Sequence, residues 1–244
     1  VDYGEVFAHV LRSDSLRTLF ALAALHDWDI YGLDVKSAFL NGKVEEEIYM
    51  RQIQGYEDGT NRVLKLIGSL YGLKQAPRIW YRLFYEKVRT IGYQRLPSEQ
   101  SVFIRRREGN VSILAVYVDD IAAFTTKGTG RMVQRELMGL FDMRDLGELS
   151  SFLGYRISWD REKRTVTISQ DRYIKSIVER MGLGDANPVG APMRAGLQLQ
   201  RYEGEKIDYP YATRISELLY TALGSFPEIA YAVQHLLQFT SNPG

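Results

Sequence analysis

The chain has 244 residues, a formal net charge of +1, 45% hydrophobic and 25% charged residues, and no cysteine. That balance belongs to an ordinary globular protein with a real core, in one large domain or two small ones. It excludes disulfides and thiolate zinc sites and holds no apolar run of about 18 or more residues that could span a membrane. Any nucleic-acid surface has to be a local patch rather than a global field.

The opening Val1-Asp2-Tyr3-Gly4 has neither an initiator Met nor a signal-peptide pattern, and reads as the middle of a longer chain. A first helix is expected over residues 14–27, capped by Ser13 or Asp14, with Leu16, Leu19, Phe20, Ala23 and Ala24 at helical spacing. A short strand from Ile30 to Val35 follows, then strands at Ile48–Met50 and Val63–Leu66. The next helix starts near Pro77, tolerated in a first turn, and runs to Ile91 with Gly92 as its stop. Trp80, Leu83, Phe84, Val88 and Ile91 form its apolar face. Arg78, Arg82 and Arg89 fall within roughly 40° of one another on another face, a basic stripe that by itself reads as a solvated surface.

Strands over Ser101–Arg107 and Val111–Tyr117 are joined by the turn signal Gly109-Asn110, and the second runs through Asp119-Asp120 into Ile121–Phe124. A helix over 129–141 buries Val133, Leu137 and Leu140. Then come a hairpin of Phe152–Trp159 and Thr165–Ser169 and a helix over Gln170–Met181. Residues 184–210, rich in Gly, Pro and Ala, read as an extended linker before two helices at 212–223 and 227–239. Antiparallel strands interleaved with helices, without a βαβ rhythm, give an α+β class.

Chemistry concentrates where carboxylates interrupt apolar strands. Asp119-Asp120 sits in Ile113–Ile121, and an unpaired buried charge is costly. The pair either makes a solvated hairpin turn or meets a metal. Asp34 likewise ends an apolar strand, so pairing of that strand beside the hairpin would gather three carboxylates at one sheet edge. Hard oxygen ligands of that kind suit Mg²⁺ or Mn²⁺. His9, His26 and His235 are scattered, and there is no P-loop, nucleophile elbow or His-centred dyad.

Four blocks, in order, carry a family resemblance. Asp34-Val35-Lys36-Ser37-Ala38-Phe39-Leu40-Asn41-Gly42 with Glu45–Met50 resembles the first catalytic block of copia-type retrotransposon reverse transcriptases. Leu66–Trp80 is similar to their second block, Tyr117-Val118-Asp119-Asp120 to their catalytic hairpin, and Asp145–Glu148 with Phe152–Ile157 to the segment leading into the primer grip. Asp2-Tyr3, Phe7-Ala8 and Ser241–Gly244 extend it to both ends.

The resemblance implies a right-hand polymerase palm, an antiparallel sheet flanked by helices, followed by a thumb- or connection-like helical part. It divides the chain into partial fingers and palm (1–160), a thumb-like hairpin and helix (161–190), and linker with connection-like helices (191–244). It implies an RNA-directed DNA polymerase in which Asp34, Asp119 and Asp120 hold two Mg²⁺ (or Mn²⁺) ions. Amides around Val35, Lys36, Ser37 and Ala38 would meet the triphosphate. Phe39 would be the sugar gate, although alone it reads as core. Tyr71, Gly72, Lys74 and Gln75 would lie under the nucleotide. Arg78 and Arg82 would touch the template, and Tyr117, Phe152, Leu153, Gly154 and Tyr155 the primer-template.

The implied partners are dNTPs and an RNA/DNA primer-template, with no membrane. Upstream basic fingers and the RNase H and integrase parts of a polyprotein are expected outside this chain. The implied location is a cytoplasmic virus-like particle and then the nucleus. Without the cationic fingers the isolated chain is expected to polymerise poorly or not at all. Leu223–Ile229 and Pro210–Arg214 depart from the family pattern. The alternative readings are an inactive or co-opted nucleic-acid-binding remnant and, behind it, a metal-dependent nuclease.

Overall fold

A computed structural model describes residues 8–200, 203–204 and 208–242. Asp2-Tyr3, Phe7 and Pro243-Gly244 lie outside the described residues. In chain order the elements are α1 (Ser13–His26), β1 (Asp29–Val35), a 3₁₀ turn (Ala38–Asn41), β2 (Tyr49–Met50), β3 (Leu64–Lys65), α2 (Ala76–Thr90), β4 (Gln94–Arg95), β5 (Val102–Arg107), β6 (Asn110–Tyr117) and β7 (Asp120–Thr125). They continue with α3 (Gly130–Met138), β8 (Met143–Glu148), β9 (Ser151–Phe152), β10 (Tyr155–Asp160), β11 (Thr165–Ser169), α4 (Asp171–Arg180), α5 (Tyr211–Gly224), a second 3₁₀ turn (Pro227–Ile229) and α6 (Ala230–Leu237). This is the mixed architecture of helices and antiparallel sheet that the sequence predicts. The chain forms two compact units, Val1–Phe152 with Trp159–Val166, and Leu153–Ser158 with Thr167–Gly244.

The first unit is built on a six-stranded sheet in the order β4-β5-β6-β7-β1-β8, with antiparallel neighbours throughout. Period-2 alternation splits its side chains between two faces. Leu33, Val35, Phe103, Leu114, Val116, Ile121 and Ala123 belong to the core that α2 and α3 cover with Trp80, Phe84, Val88, Val133 and Leu137. The other set includes Phe124, whose ring meets Phe20 of α1 edge-on with centroids 5.5 Å apart. Gly130 lets α3 approach β1, because a Cβ there would overlap the ring of Tyr31. Arg161 ties a late segment to the start of β1, reaching Asp27 at 3.0 Å and Asp29 at 2.8 Å.

In the second unit Ile215, Ala222 and Val233 join α5 to α6, and the Tyr211 hydroxyl donates to the Leu236 carbonyl at 2.8 Å. Glu217 binds both Arg180 and Arg214, at 2.9 and 3.0 Å.

Several sequence expectations need correction. Arg12, not Ser13 or Asp14, is the N-cap of α1, and no side chain caps it. The β5–β6 turn is centred one residue earlier than Gly109-Asn110, on Glu108 and Gly109 with φ 53° and 78°. The helix expected to reach 141 stops at Met138. Leu153 and Gly154, both at positive φ, interrupt the strand expected over 152–159. The C-terminal helix divides into the Pro227–Ile229 turn and α6. The sequence reading lacks β4 and β8 altogether.

Candidate active site

The site is built on the β6–β7 hairpin. Tyr117 pairs with Asp120, leaving Val118 and Asp119 as a two-residue loop. Val118 has φ 57°, and Asp119 is not among the positive-φ residues, the pattern of a II′ hairpin turn that ordinarily takes Gly first. A β-branched residue at positive φ is a true outlier, with a cost on the order of 1–3 kcal/mol that the surroundings must offset. Two hydrogen bonds hold it. The buried Trp80 indole N–H donates to the Val118 carbonyl at 2.6 Å, and the Val35 amide donates to the Asp119 carbonyl at 2.9 Å.

Asp34 arrives from β1. It pairs with Asp120 across the strand interface, and directly opposed residues share a face. Leu33 and Val35 point into the α2/α3 core, so Asp34 and Asp120 stand on the opposite face. On the other side of Asp34, β8 places Arg144, so Asp120, Asp34 and Arg144 form one row across three strands. The β1–β8 register shifts beside Gly32 and Leu33, a bulge that leaves Leu146 without a partner. The Asp145 carboxylate stabilises this kink by accepting from the Gly147 amide at 2.7 Å, from Gln134 at 2.7 Å and from Arg131 at 3.0 Å. The Asp145–Glu148 motif therefore has a structural use: it bends the strand beside the aspartates.

The Asp34–Gly42 block is a folded turn. Ser37 takes φ 50°, the Leu40 amide returns to its carbonyl at 2.8 Å, and the Asn41 side-chain amide donates to the Ser37 and Ala38 carbonyls at 3.1 and 3.2 Å. Gly42 is needed for close approach, since a Cβ would overlap the Ile79 side chain of α2. The amides of Val35 and Lys36 are committed to the carbonyls of Asp119 and Asp142, at 2.9 and 3.0 Å. Ala38 is buried, and Phe39 lies partly buried with its ring 4.8 Å from that of Tyr71. Two separate sequence blocks thus meet beside the hairpin.

Asp34, Asp119 and Asp120 are all half-buried, and no described lysine or arginine makes a salt bridge with them. Burial, then the charges of Asp119 and Asp34, pushes the Asp120 carboxyl above its ordinary range. Three like charges with hard oxygen donors are the right chemistry for a divalent cation. Among the described residues, however, no three such side chains are gathered closely enough to form a ready ligand sphere.

The remaining expected residues fall in distinct surroundings. Tyr71 and Lys74 are exposed. Gly72 has φ 97°, a backbone that favours glycine, while Gln75 is buried at the N-cap of α2. Along α2, Arg78 is half-buried and Arg82 exposed. Tyr117 is exposed, and Phe152 is buried in its own unit. In the second unit, Leu153 accepts from the Tyr220 hydroxyl at 2.9 Å, Gly154 lies where a Cβ would crowd that hydroxyl, and Tyr155 is buried with its ring against Tyr220. Sequence reasoning missed Arg144 and the hydrogen bond from Trp80. A strand assignment for 143–148 would have exposed the first; nothing in the sequence signals the second.

A sheet that pairs an isolated aspartate with an Asp-Asp hairpin leads to the comparisons. Residues 1–195 match the family described as reverse transcriptase (RNA-dependent DNA polymerase), and the chain belongs to that family, in its copia-type branch. It is 38% identical over 256 residues to the Retrovirus-related Pol polyprotein from transposon TNT 1-94 of Nicotiana tabacum, covering 100% of this chain and 19% of that protein. It is 37% identical over 250 residues to the Retrovirus-related Pol polyprotein from transposon RE1 of Arabidopsis thaliana, covering 100% of this chain and 17% of that protein. With the putative transposon Ty5-1 protein of Saccharomyces cerevisiae the identity is 31% over 217 residues, 86% of this chain and 70% of that protein. The chain thus spans about a fifth of the length of the first curated relatives it matches.

Proposed function

We propose that this chain carries the palm of an RNA-directed DNA polymerase that extends a primer along an RNA or DNA template with dNTPs, acting within a transposon polyprotein. The observation that carries the proposal is the register of Asp34 opposite Asp120, with Asp119 in the strained loop beside them. Asp34 and Asp119 are the principal ligands of divalent Mg²⁺ (or Mn²⁺) in this reading, with Asp120 as the third carboxylate. Bound there, the cations would lower the pKa of the primer 3′-hydroxyl and offset charge on the triphosphate.

The chain's own residues position the reaction. The 3′-hydroxyl gives up its proton to water and attacks the α-phosphorus, while the bond from that phosphorus to the α,β-bridging oxygen breaks and the oxygen leaves with pyrophosphate. The exposed Ser37 amide serves the triphosphate, those of Val35 and Lys36 being already engaged and Ala38 lying in the core. Phe39, set against Tyr71, closes the space of a ribose 2′-hydroxyl. Tyr71, Gly72, Lys74 and Gln75 form the floor under the nucleotide, and Arg78 and Arg82 meet template phosphates. Tyr117 contacts the primer end, and Phe152–Tyr155 serve as the primer grip. The helices of the second unit fill the thumb or connection role.

Primer extension on an RNA template with Mg²⁺ and dNTPs, beside Asp119→Asn, tests the reading. Extension by the parent that drops at least about a hundredfold in Asp119→Asn is expected. Primer-template binding without any Mg²⁺-dependent extension, persisting after the fingers segment of a relative is attached, would instead make the chain a nucleic-acid-binding remnant.

A further inference from the structure

We infer that Trp80 is a positioning residue for the catalytic hairpin: its indole N–H holds the Val118 carbonyl and so keeps Asp119 in place. The inference rests on the polymerase reading for its consequence, but not for its geometry. Val118 occupies φ 57°, a conformation its branched side chain disfavours, and an extended relaxation would swing the following Asp119 away from its place beside the Asp34–Asp120 pair. The Val118 side chain packs against the core, which fixes the residue from its other end.

Trp80 is suited to the task by its immobility. It is 2% exposed, its ring lies 5.7 Å from that of Phe84 and 5.1 Å edge-on to that of Phe141, and it sits one turn into α2. The 2.6 Å bond it makes is short, and the acceptor is a loop carbonyl that no strand pairing satisfies. On the far side of the loop, the Val35 amide holds the Asp119 carbonyl at 2.9 Å. The two bonds act on successive peptide units of the loop, one from a helix and one from the strand that bears Asp34. Asp119 is thereby fixed relative to Asp34 by bonds to the backbone, with both carboxylates left free for ligands. A phenylalanine ring in place of Trp80 fills most of the same core space but cannot donate.

The test uses the full chain and the variants Trp80→Phe, Val118→Gly and their combination, with two readouts. The first is amide hydrogen exchange, which needs no activity. In Trp80→Phe, exchange in the segment 117–121 should rise about tenfold relative to β5 and α3. In the Val118→Gly background, where φ 57° carries no side-chain penalty, the same change should raise it less than about threefold. The second readout is extension. Trp80→Phe should lower kcat about ten- to a hundredfold, with a smaller change in KM for dNTP, and Val118→Gly should recover part of that loss.

A uniform rise in exchange over the whole sheet, or an equal effect of Trp80→Phe in both backgrounds, would make Trp80 ordinary core and overturn the inference. If Trp80→Phe does not fold, folding of the double variant supports the inference and its failure to fold overturns it. Hairpin exchange that behaves as stated in a parent chain that never extends a primer, even with the fingers segment of a relative attached, leaves the positioning role standing and removes the polymerase reading instead.

Discussion

Asp120 shows the cost of assembling the site. Its carboxyl is pushed above the ordinary value of 3.8 first by burial and then by Asp119 and Asp34, so its ionised form opposes folding at neutral pH. Asp120→Asn is therefore expected to raise Tm at pH 7, without divalent ions, by roughly 1–3 °C, a small gain because solvent screens the half-exposed group. Millimolar Mg²⁺ should then raise the parent's Tm more than the variant's. Thermal melts with and without Mg²⁺ read both effects, and a variant less stable than its parent would mean that Asp120 is a structural acceptor. Val118 makes the complementary point: the loop accepts a residue poorly suited to its backbone, while neighbouring bonds hold it there.

At the scale of elements, the loop that joins β2 to β3 is organised around one carboxylate. Asp58 accepts from Gln52 at 2.9 Å and from the Thr60 amide at 3.0 Å, with Arg62 ion-paired to it at 2.5 Å, inside the loop from 51 to 63. The Thr60 hydroxyl, then Gln52 and the Thr60 amide, hold its carboxyl down at about 2. A depressed carboxylate contributes stability that is complete above its ordinary value of 3.8 and lost as pH falls through about 2. The loop should therefore stay ordered at pH 3. An NMR titration of the Thr60 amide should show a midpoint about 2, and Asp58→Asn should free the loop even at neutral pH; a midpoint about 3.8 would contradict this.

Elements also mark how far the sequence could be read. Strands and helices with strong periodicity were legible within a few residues, among them β1, α2, β6 and α4, because burial of one face leaves its own pattern. The convergence of Asp34 on the Asp-Asp hairpin was legible as well, since each carboxylate breaks an apolar run. β8 was not, because Met143-Arg144-Asp145-Leu146-Gly147-Glu148 is an edge strand with a bulge and only Met143 buried, which removes the alternation a reader needs. Trp80 reads simply as an apolar position at helical spacing, and the polar use of its N–H appears only when the hairpin is folded against it.

At the scale of the molecule, 31 basic residues against 30 acidic ones leave no global field to attract a polyanion. On the proposed function, binding to primer-template must then rest on a few local contacts, and each should show in the salt dependence. Arg82→Gln, on the exposed side of α2, is expected to weaken binding alike for all sequences. It should reduce the slope of log K against log salt by about 1, as measured by fluorescence anisotropy across a salt series. A slope equal to the parent's would remove Arg82 from the interface.

The place of β1 between β7 and β8 governs how the site comes into being during synthesis. That strand is complete by Val35, yet its partners are Asp120–Thr125 on one side and Met143–Glu148 on the other. A ribosome must add about a hundred residues before Asp34 acquires its neighbours, so the site forms late and through contacts of long sequence separation. A message cut short between these two partners would release a chain with β1 as a bare sheet edge, ready to pair with another copy of itself. Premature stops within that narrow window should therefore yield aggregates rather than merely inert protein, while stops beyond Glu148 leave this edge covered.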